Sequence, residues 1–278
     1  MLPGTIKYKT PITYYGGKQR MITKILTIIP RHRIYCEPFF GGGAIFFAKS
    51  PSYLEVINDK NDILMSFYST CQSRFDELQM LIHNSLCSEQ LFRWAKSVYF
   101  GTEKADLLHT AFATWVVFNL SFNSSPKSGW RWDNGTDNSH IGIVLKHARQ
   151  NFCPWIRQRL SKVQISCRDA NDVIKQRDTP DTFFYLDPPY PNTNQAHYCG
   201  YSEDDLDNLL ILLSNIHGQF CLSNYNHPLL QEYARKKNWL LQVFPMAKTI
   251  TNKSSKSFKE EALLLNYSPN NLIQTNLF

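Results

Sequence analysis

The sequence predicts an α/β protein built on a doubly wound, mainly parallel sheet with helices on its faces. Seven short runs read as strands: "HRIYCEPF", "YLEVIND", "VQISCRDA", "TFFYLDPP", "QFCLSNYN", "WLLQVFPM" and "EALLLNY". Each is rich in β-branched and aromatic residues and closes on polar or turn residues. Between them, "KQRMITKILTIIP", "SEDDLDNLLILLSNI" and "HPLLQEYARKKN" carry apolar residues at helical spacing. Strands alternating with helices argue for a parallel sheet with ligands at the strands' carboxyl ends. A chain of 278 residues, 43% hydrophobic and 14% aromatic, can bury a sizeable core as one large domain or two modest ones.

In chain order, "YYGGK" (Tyr14 to Lys18) precedes the first long helical pattern. Two glycines and a lysine at a helix start can receive a carboxylate, and a loop with a solvated lysine is the competing reading. The first strand then runs into "CEPFFGGGAIFF", with Gly41, Gly42 and Gly43 between strand and helix. Glycines there let the backbone approach a ligand closely. The pattern is not GxGxxG, so a dinucleotide is not favoured. The second strand ends in "INDKN", placing Asp59 where an acid accepts hydrogen bonds from ribose hydroxyls. A plain glycine turn and a helix-capping Asp explain each feature singly. In this order they favour an adenosine-bearing ligand.

Residues 66–162 break the alternation. "DILMSFYSTCQSRFDELQMLI" and "KADLLHTAFATWVVFNL" are helical, and a polar, aromatic stretch follows, "SFNSSPKSGWRWDNGTDNSH". The pattern predicts a mainly helical domain inserted between the second and third strands, with Trp115, Phe118 and Phe122 in helix core. Residues 1–65 and 163–268 then form the sheet domain, and 269–278 a polar tail. Later, Ser202 followed by Asp205 marks a capped helix start.

The fourth strand ends in "DPPYPNT". Asp187 offers a carboxylate, and proline has a carbonyl but no N–H, so the backbone presents acceptors without competing donors. An exocyclic amine such as that of adenine is a poor nucleophile, because its lone pair is delocalised into the ring. Acceptors at Asp187 and Pro188 favour the amine as it pyramidalises and gains positive charge. Tyr190 supplies a flat face for a base taken out of a duplex.

Composition narrows the remaining classes. Thirty basic against 23 acidic residues give +7, a mild bias towards a polyanion such as nucleic acid. Seven cysteines without a CxxC pair argue against a disulfide framework and a zinc site, and no structural or catalytic metal is expected. The N-terminus lacks signal-peptide character, and no apolar run approaches ~18 residues. The expectation is a reduced, cytoplasmic protein without a membrane span.

The ordered set "YYGGK", "EPFFGGG", "INDKN", inserted domain, "CRDA" and "DPPY" resembles the Dam-type (D12 class, alpha-group) DNA adenine N6-methyltransferases. The resemblance implies a Rossmann-like S-adenosylmethionine-dependent methyltransferase sheet with a helical target-recognition domain at 66–162. It implies S-adenosylmethionine as methyl donor and the N6 amino group of adenine in double-stranded DNA as acceptor, reached by base flipping and direct transfer. Carried over by motif, Tyr14, Lys18, Glu37, Pro38, Phe39, Gly41, Gly42, Gly43, Asp59, Asp169 and Ala170 contact the cofactor. Asp187 is shared between cofactor and catalytic pocket, which Pro188, Pro189 and Tyr190 complete. "CLSNYN" and "KSFKEEALLLNY" also resemble the family's C-terminal half. Tyr14 stands where Dam has tryptophan, and three consecutive glycines replace Gly-Ala-Gly.

The insert carries no copy of the GATC-reading segment, so GATC specificity is not implied. Arg131 suits guanine, and Asn119 or Asn123 adenine. Lys127 and Lys146 suit phosphate, Trp130 and Trp132 a DNA contact in a polar loop. "NKSSKSFK" (252–259) suits phosphate or a solvated turn. Gln274 to Phe278, "QTNLF", resembles the Gln-x-x-Leu-Phe peptide that docks bacterial proteins on the replication sliding clamp, with a packed or unstructured tail as the competing reading. A cognate restriction endonuclease is a further candidate partner, and a monomer in a bacterial or phage-infected cell is expected. Methylation of cytosine or of adenine in RNA, and a catalytically silent DNA-binding protein, stay open as alternatives.

Overall fold

The computed structural model describes residues 10–14, 18–133, 140–191, 200–246 and 259–269. The tail Gln274 to Phe278, most of the 252–259 run and Tyr15, Gly16 and Gly17 lie outside them. All seven expected strands form: β1 (Ile34–Glu37), β2 (Leu54–Asn58), β3 (Gln164–Ser166), β4 (Thr182–Leu186), β5 (Gln219–Tyr225), β6 (Leu240–Met246) and β7 (Lys259–Leu265). They hydrogen-bond in the order β3-β2-β1-β4-β5-β7-β6. The pairs β2/β3, β1/β4 and β4/β5 are parallel, whereas β7 runs antiparallel to both β5 and β6. A mixed sheet of this order is a Rossmann-like arrangement. The strand order reverses between β1 and β4, the point where open α/β sheets bind ligands beyond the strands' carboxyl ends.

Helices connect the strands: α1 (Ile22–Ile28), α2 (Ala44–Ala48), α3 (Asp62–Ser73), α4 (Phe75–His83), α5 (Glu89–Tyr99), α6 (Leu107–Leu120), α7 (Ile141–Asn151), α8 (Trp155–Leu160), α9 (Ala170–Arg177), α10 (Glu203–Leu213) and α11 (Pro228–Lys237). Their starts follow local chemistry. The side chains of Asn61, Ser88 and Asp106 accept from Leu64, Leu91 and His109 N–H groups at the starts of α3, α5 and α6. Ser202 and Asp205 form the expected reciprocal capping box of α10. Among the described residues no helix is long and apolar enough to cross a membrane.

The chain forms two compact units: Met1–Leu26, Phe40–Pro51 and Glu55–Arg168, and then Thr27–Phe39, Ser52–Leu54 and Asp169–Phe278. In the first, α6 is apolar all round and buried, and α3, α4, α5 and α7 pack on it. Trp115 and Phe118 lie in that core, as their helical spacing predicts. Phe122 does not. Ser121 takes an extended conformation that ends α6, and Asn123 and Ser124 turn through positive φ, leaving the Phe122 ring 58% exposed. In the second unit β4 is buried along its whole length, and Phe220, Leu222, Leu263 and Leu265 complete the strand core.

Candidate active site

In the first unit the glycine loop is held from three sides. The Gly41 N–H donates to Asp59 Oδ2 at 2.9 Å, and the Gly41 carbonyl accepts from Tyr68 Oη at 3.0 Å. Asp59 Oδ1 accepts from the Asn61 N–H at 3.0 Å, so one buried carboxylate ties the loop to the start of α3. Tyr14 covers the loop: a Cβ on Gly42 would lie 2.6 Å from Tyr14 Cβ, and one on Gly41 3.1 Å from its ring. Gly41 and Gly43 take φ of 49° and 65°, which glycine adopts without strain. Tyr14 in turn stacks on Phe118, with ring centroids 5.2 Å apart. Lys18 is buried just ahead of α1.

The same unit holds a buried ionic cluster. Glu55 on β2 meets Lys49 Nζ at 2.6 Å and Arg159 Nη2 at 2.9 Å, with Arg159 Nη1 also bonded to it. Arg159 further donates to the Phe46 carbonyl at 2.9 Å and lies 3.5 Å above the Phe46 ring. Burial opposes ionisation of Glu55, but Arg159 and Lys49 outweigh it and hold the carboxyl below the usual glutamate range.

In the second unit β1 and β4 are neighbours, with Cys36 opposite Phe184. Glu37 therefore ends one strand where Tyr185, Leu186 and then Asp187 end the other. Glu37 is buried and accepts from Tyr35 Oη at 2.7 Å. Pro38, Pro188 and Pro189 are buried, while Phe39 and Asp187 are half-buried. The Tyr185 hydroxyl is pushed well up by burial, then by the charge of Asp187 and, more weakly, by Cys221, Glu37 and Tyr190. It stays a neutral phenol on the same strand face as Asp187. Tyr190 is 9% exposed; its hydroxyl donates to Glu261 Oε1 at 2.6 Å, and its ring meets the Tyr225 ring edge-on at 5.8 Å. Asp169 caps α9 by accepting from the Asn171 N–H at 2.9 Å, with Ala170 as the first helical residue.

The loop after α6 presents several expected DNA-contacting residues. It closes through Phe122 N–H to the Gly129 carbonyl and Arg131 N–H to the Leu120 carbonyl, both 2.9 Å, and through Lys96 Nζ to the Ser128 carbonyl at 3.0 Å. Asn123, Lys127 and Trp132 are exposed, as is Lys146 on α7; Trp130 and Arg131 are half-buried. Asn119 is buried in α6, donates to the Trp115 carbonyl at 2.9 Å and lies 3.3 Å from Thr13 Oγ1. Among the described residues no group of three or more His, Cys, Asp and Glu side chains is arranged to hold a metal ion. Sequence reasoning missed Tyr68 and Glu261. Nothing near Tyr68 marks it, whereas Glu261 sits inside the "KSFKEEALLLNY" run already singled out.

The family model for D12 class N6 adenine-specific DNA methyltransferases matches residues 14–261, most of the chain. The chain belongs to this family. Such a methyltransferase acts on DNA and needs a methyl donor. The methyltransferase is 24% identical over 279 residues to the Type II methyltransferase M1.LlaDCHI of Lactococcus lactis subsp. cremoris, covering 91% of this chain and 93% of that relative. It is 24% identical over 304 residues to the Modification methylase StsI of Streptococcus sanguinis, covering 98% of this chain and 45% of the relative. To the DNA N-6-adenine-methyltransferase of Escherichia phage P1 it is 27% identical over 233 residues, covering 78% of this chain and 30% of the relative. The methyltransferase thus spans less than half the length of the last two.

Proposed function

We propose that this methyltransferase uses S-adenosylmethionine to methylate the N6 amino group of an adenine flipped out of double-stranded DNA, by direct transfer. The observation that carries this reading is the Asp187-Pro188-Pro189-Tyr190 turn at the carboxyl end of β4, beside Glu37 at the end of β1, where the strand order reverses. The residues present fit the cofactor. In the first unit, a glycine loop with no room for a Cβ at Gly42, the buried Asp59 after β2 and a buried Lys18 suit a nucleoside carrying an amino acid group. By the family's motifs, Tyr14, Lys18, the Gly41–Gly43 loop and Asp59 of the first unit and Glu37, Pro38, Phe39, Asp169, Ala170 and Asp187 of the second are the residues assigned to it. When bound, it supplies an electrophilic methyl group.

The chain's own residues supply orientation and charge. The Asp187 carboxylate and the Pro188 carbonyl accept hydrogen bonds from the adenine amine. Those bonds strengthen as the nitrogen pyramidalises and becomes positive, so they favour the transition state over the ground state. Tyr190 stacks on the base. Asp59 has two tasks in this reading: it keeps the glycine loop in shape through Gly41 and Asn61, and it meets the ribose hydroxyls. Residues 66–162 serve as the target-recognition region. There Asn123, Lys127, Trp132 and Lys146 are exposed to meet DNA, with Arg131 and Trp130 beside them. Asn119, with its amide engaged by Trp115 and Thr13, is buried in α6 and is not one of these contacts. The relatives' names, Type II methyltransferase and Modification methylase, support a restriction-modification setting with a cognate endonuclease.

Expression in a bacterial strain free of DNA methylation, followed by sequencing that detects modified bases, tests both activity and target. N6-methyladenine at one recurring sequence is the expected result; methylcytosine, or unmodified DNA with folded protein present, overturns the reading. Two further expectations test its parts. Gly42→Ala forces Tyr14 aside, an overpacking that costs roughly 1–3 kcal/mol. Titration calorimetry should therefore read at least a severalfold loss of S-adenosylmethionine affinity. Lys127→Ala should weaken binding to all DNA sequences alike and reduce the slope of log affinity against log salt by about 1. An unchanged slope removes Lys127 from the phosphate contacts.

A further inference from the structure

The Tyr190 side chain is fixed by a residue 71 positions away in the chain. Glu261 on β7 lies directly opposite Tyr225 on β5 in the antiparallel register. Its Oε1 accepts from two hydroxyls, Tyr190 Oη at 2.6 Å and Ser223 Oγ at 2.8 Å. Ser223 is fully buried, so Glu261 is held to the strand next to β4 by a hydroxyl with little freedom. Tyr225 closes the cage by meeting the Tyr190 ring edge-on. Tyr190 is therefore held at its ring by Tyr225 and at its tip by Glu261, on two elements that lie next to each other in the sheet.

We propose that Glu261 is a positioning residue for the methylation reaction, setting the angle at which the Tyr190 ring faces the flipped base. The proposal rests on the reading of Tyr190 as the stacking face. Two physical points carry it. A hydroxyl-to-carboxylate bond of 2.6 Å is in the range of charge-assisted bonds, roughly twice as strong as neutral ones. And a tyrosine that follows a rigid Asp-Pro-Pro turn has only its own χ angles left to set, which a tip contact and an edge contact together define. The Tyr190 hydroxyl is the donor to Glu261, so its part here is anchorage. This gives Ser223 and Tyr225 a purpose as well: they fix the carboxylate and the ring edge that fix Tyr190.

The test uses the full chain and the variants Glu261→Gln, Glu261→Ala, Tyr190→Phe, Tyr190→Ala and the Glu261→Ala/Tyr190→Phe pair. Each is measured for methyl transfer to duplex DNA, for S-adenosylmethionine affinity and for the fluorescence of 2-aminopurine placed at the target adenine, which reports stacking of the flipped base. Glu261→Ala and Tyr190→Phe should each lower kcat about tenfold and alter the 2-aminopurine signal in the same way. The double variant should be no worse than either single one, because both remove the same anchor. Glu261→Gln, which keeps an acceptor, should recover most of the rate. Cofactor affinity should stay near that of the unaltered protein, and Glu261→Gln and Tyr190→Phe, which keep the acceptor or the ring, should also keep its melting temperature. Multiplying effects in the double variant, or a normal 2-aminopurine signal in Glu261→Ala, overturns the proposal while leaving the stacking role of Tyr190 intact. Should Tyr190→Ala itself leave kcat and the signal unchanged, the stacking reading falls first.

Discussion

Asp187→Ala is expected to lower methyl transfer by at least about 100- to 1000-fold, the scale on which removal of one preorganised electrostatic partner acts. Calorimetric binding of S-adenosylmethionine should largely persist in the same variant, because Asp187, besides its catalytic part, is only one of the many residues assigned to the cofactor. The reason for the split is where the charge develops. The carboxylate follows a buried strand end and precedes two prolines, and in the proposed reaction it meets a nitrogen that becomes positive only in the transition state. In the ground state the amine is neutral and the bond is ordinary. Asp187→Asn keeps the shape and loses the charge, so it should recover little of the rate. Tyr185, a neutral phenol held on the same strand face, cannot replace the lost anion. Near-normal turnover of Asp187→Ala in a single-turnover assay sinks the mechanism.

Arg159→Ala is expected to destabilise the protein by about 3–5 kcal/mol, since it takes the guanidinium away from the buried Glu55 carboxylate beside Lys49. The loss includes the bond to the Phe46 carbonyl and the face of the Phe46 ring, which lie just beyond the glycine loop. Denaturant unfolding reads it directly. Glu55→Gln should also destabilise, and its deficit should depend on pH in a defined direction. Glu55 has a lowered pKa in the folded state because Arg159 and Lys49 outweigh its burial. Its stabilisation is thus complete above the unfolded-state pKa and is lost as pH falls through the folded value. The stability gap between the native protein and Glu55→Gln should close in acid below the normal glutamate range. A gap that widens there contradicts the ion-pair account.

Local chemistry made much of the fold legible. The seven strands were visible because a run such as residues 183–186 is wholly apolar or aromatic, and the α10 start because Ser202 and Asp205 satisfy each other across one helical turn. The residues of the site were legible as types: the glycines where the backbone needs positive φ, the acids at strand ends, the proline pair. Their partners were not. Asn119 has the amide of a base reader, but the apolar residues on every side of α6 bury it. Phe122 has the side chain of a core residue, but the extended Ser121 and two left-handed residues after it turn the ring outward.

By itself the sequence determined the element types, the glycine loop, the acids at the ends of β1 and β2 and the Asp-Pro-Pro-Tyr turn. Each of these depends on the residue's own backbone preference or on neighbours a few positions away. Only the tertiary structure decided that β7 slots antiparallel between β5 and β6, and so that Glu261 reaches Tyr190. It alone joined Tyr68 to Gly41, and Arg159 to Glu55. Those pairings close over separations of 27 to 104 residues, and no local propensity encodes which distant group will arrive. What selects them is the burial of the apolar strand and helix faces, which brings the polar groups together and leaves each needing a partner.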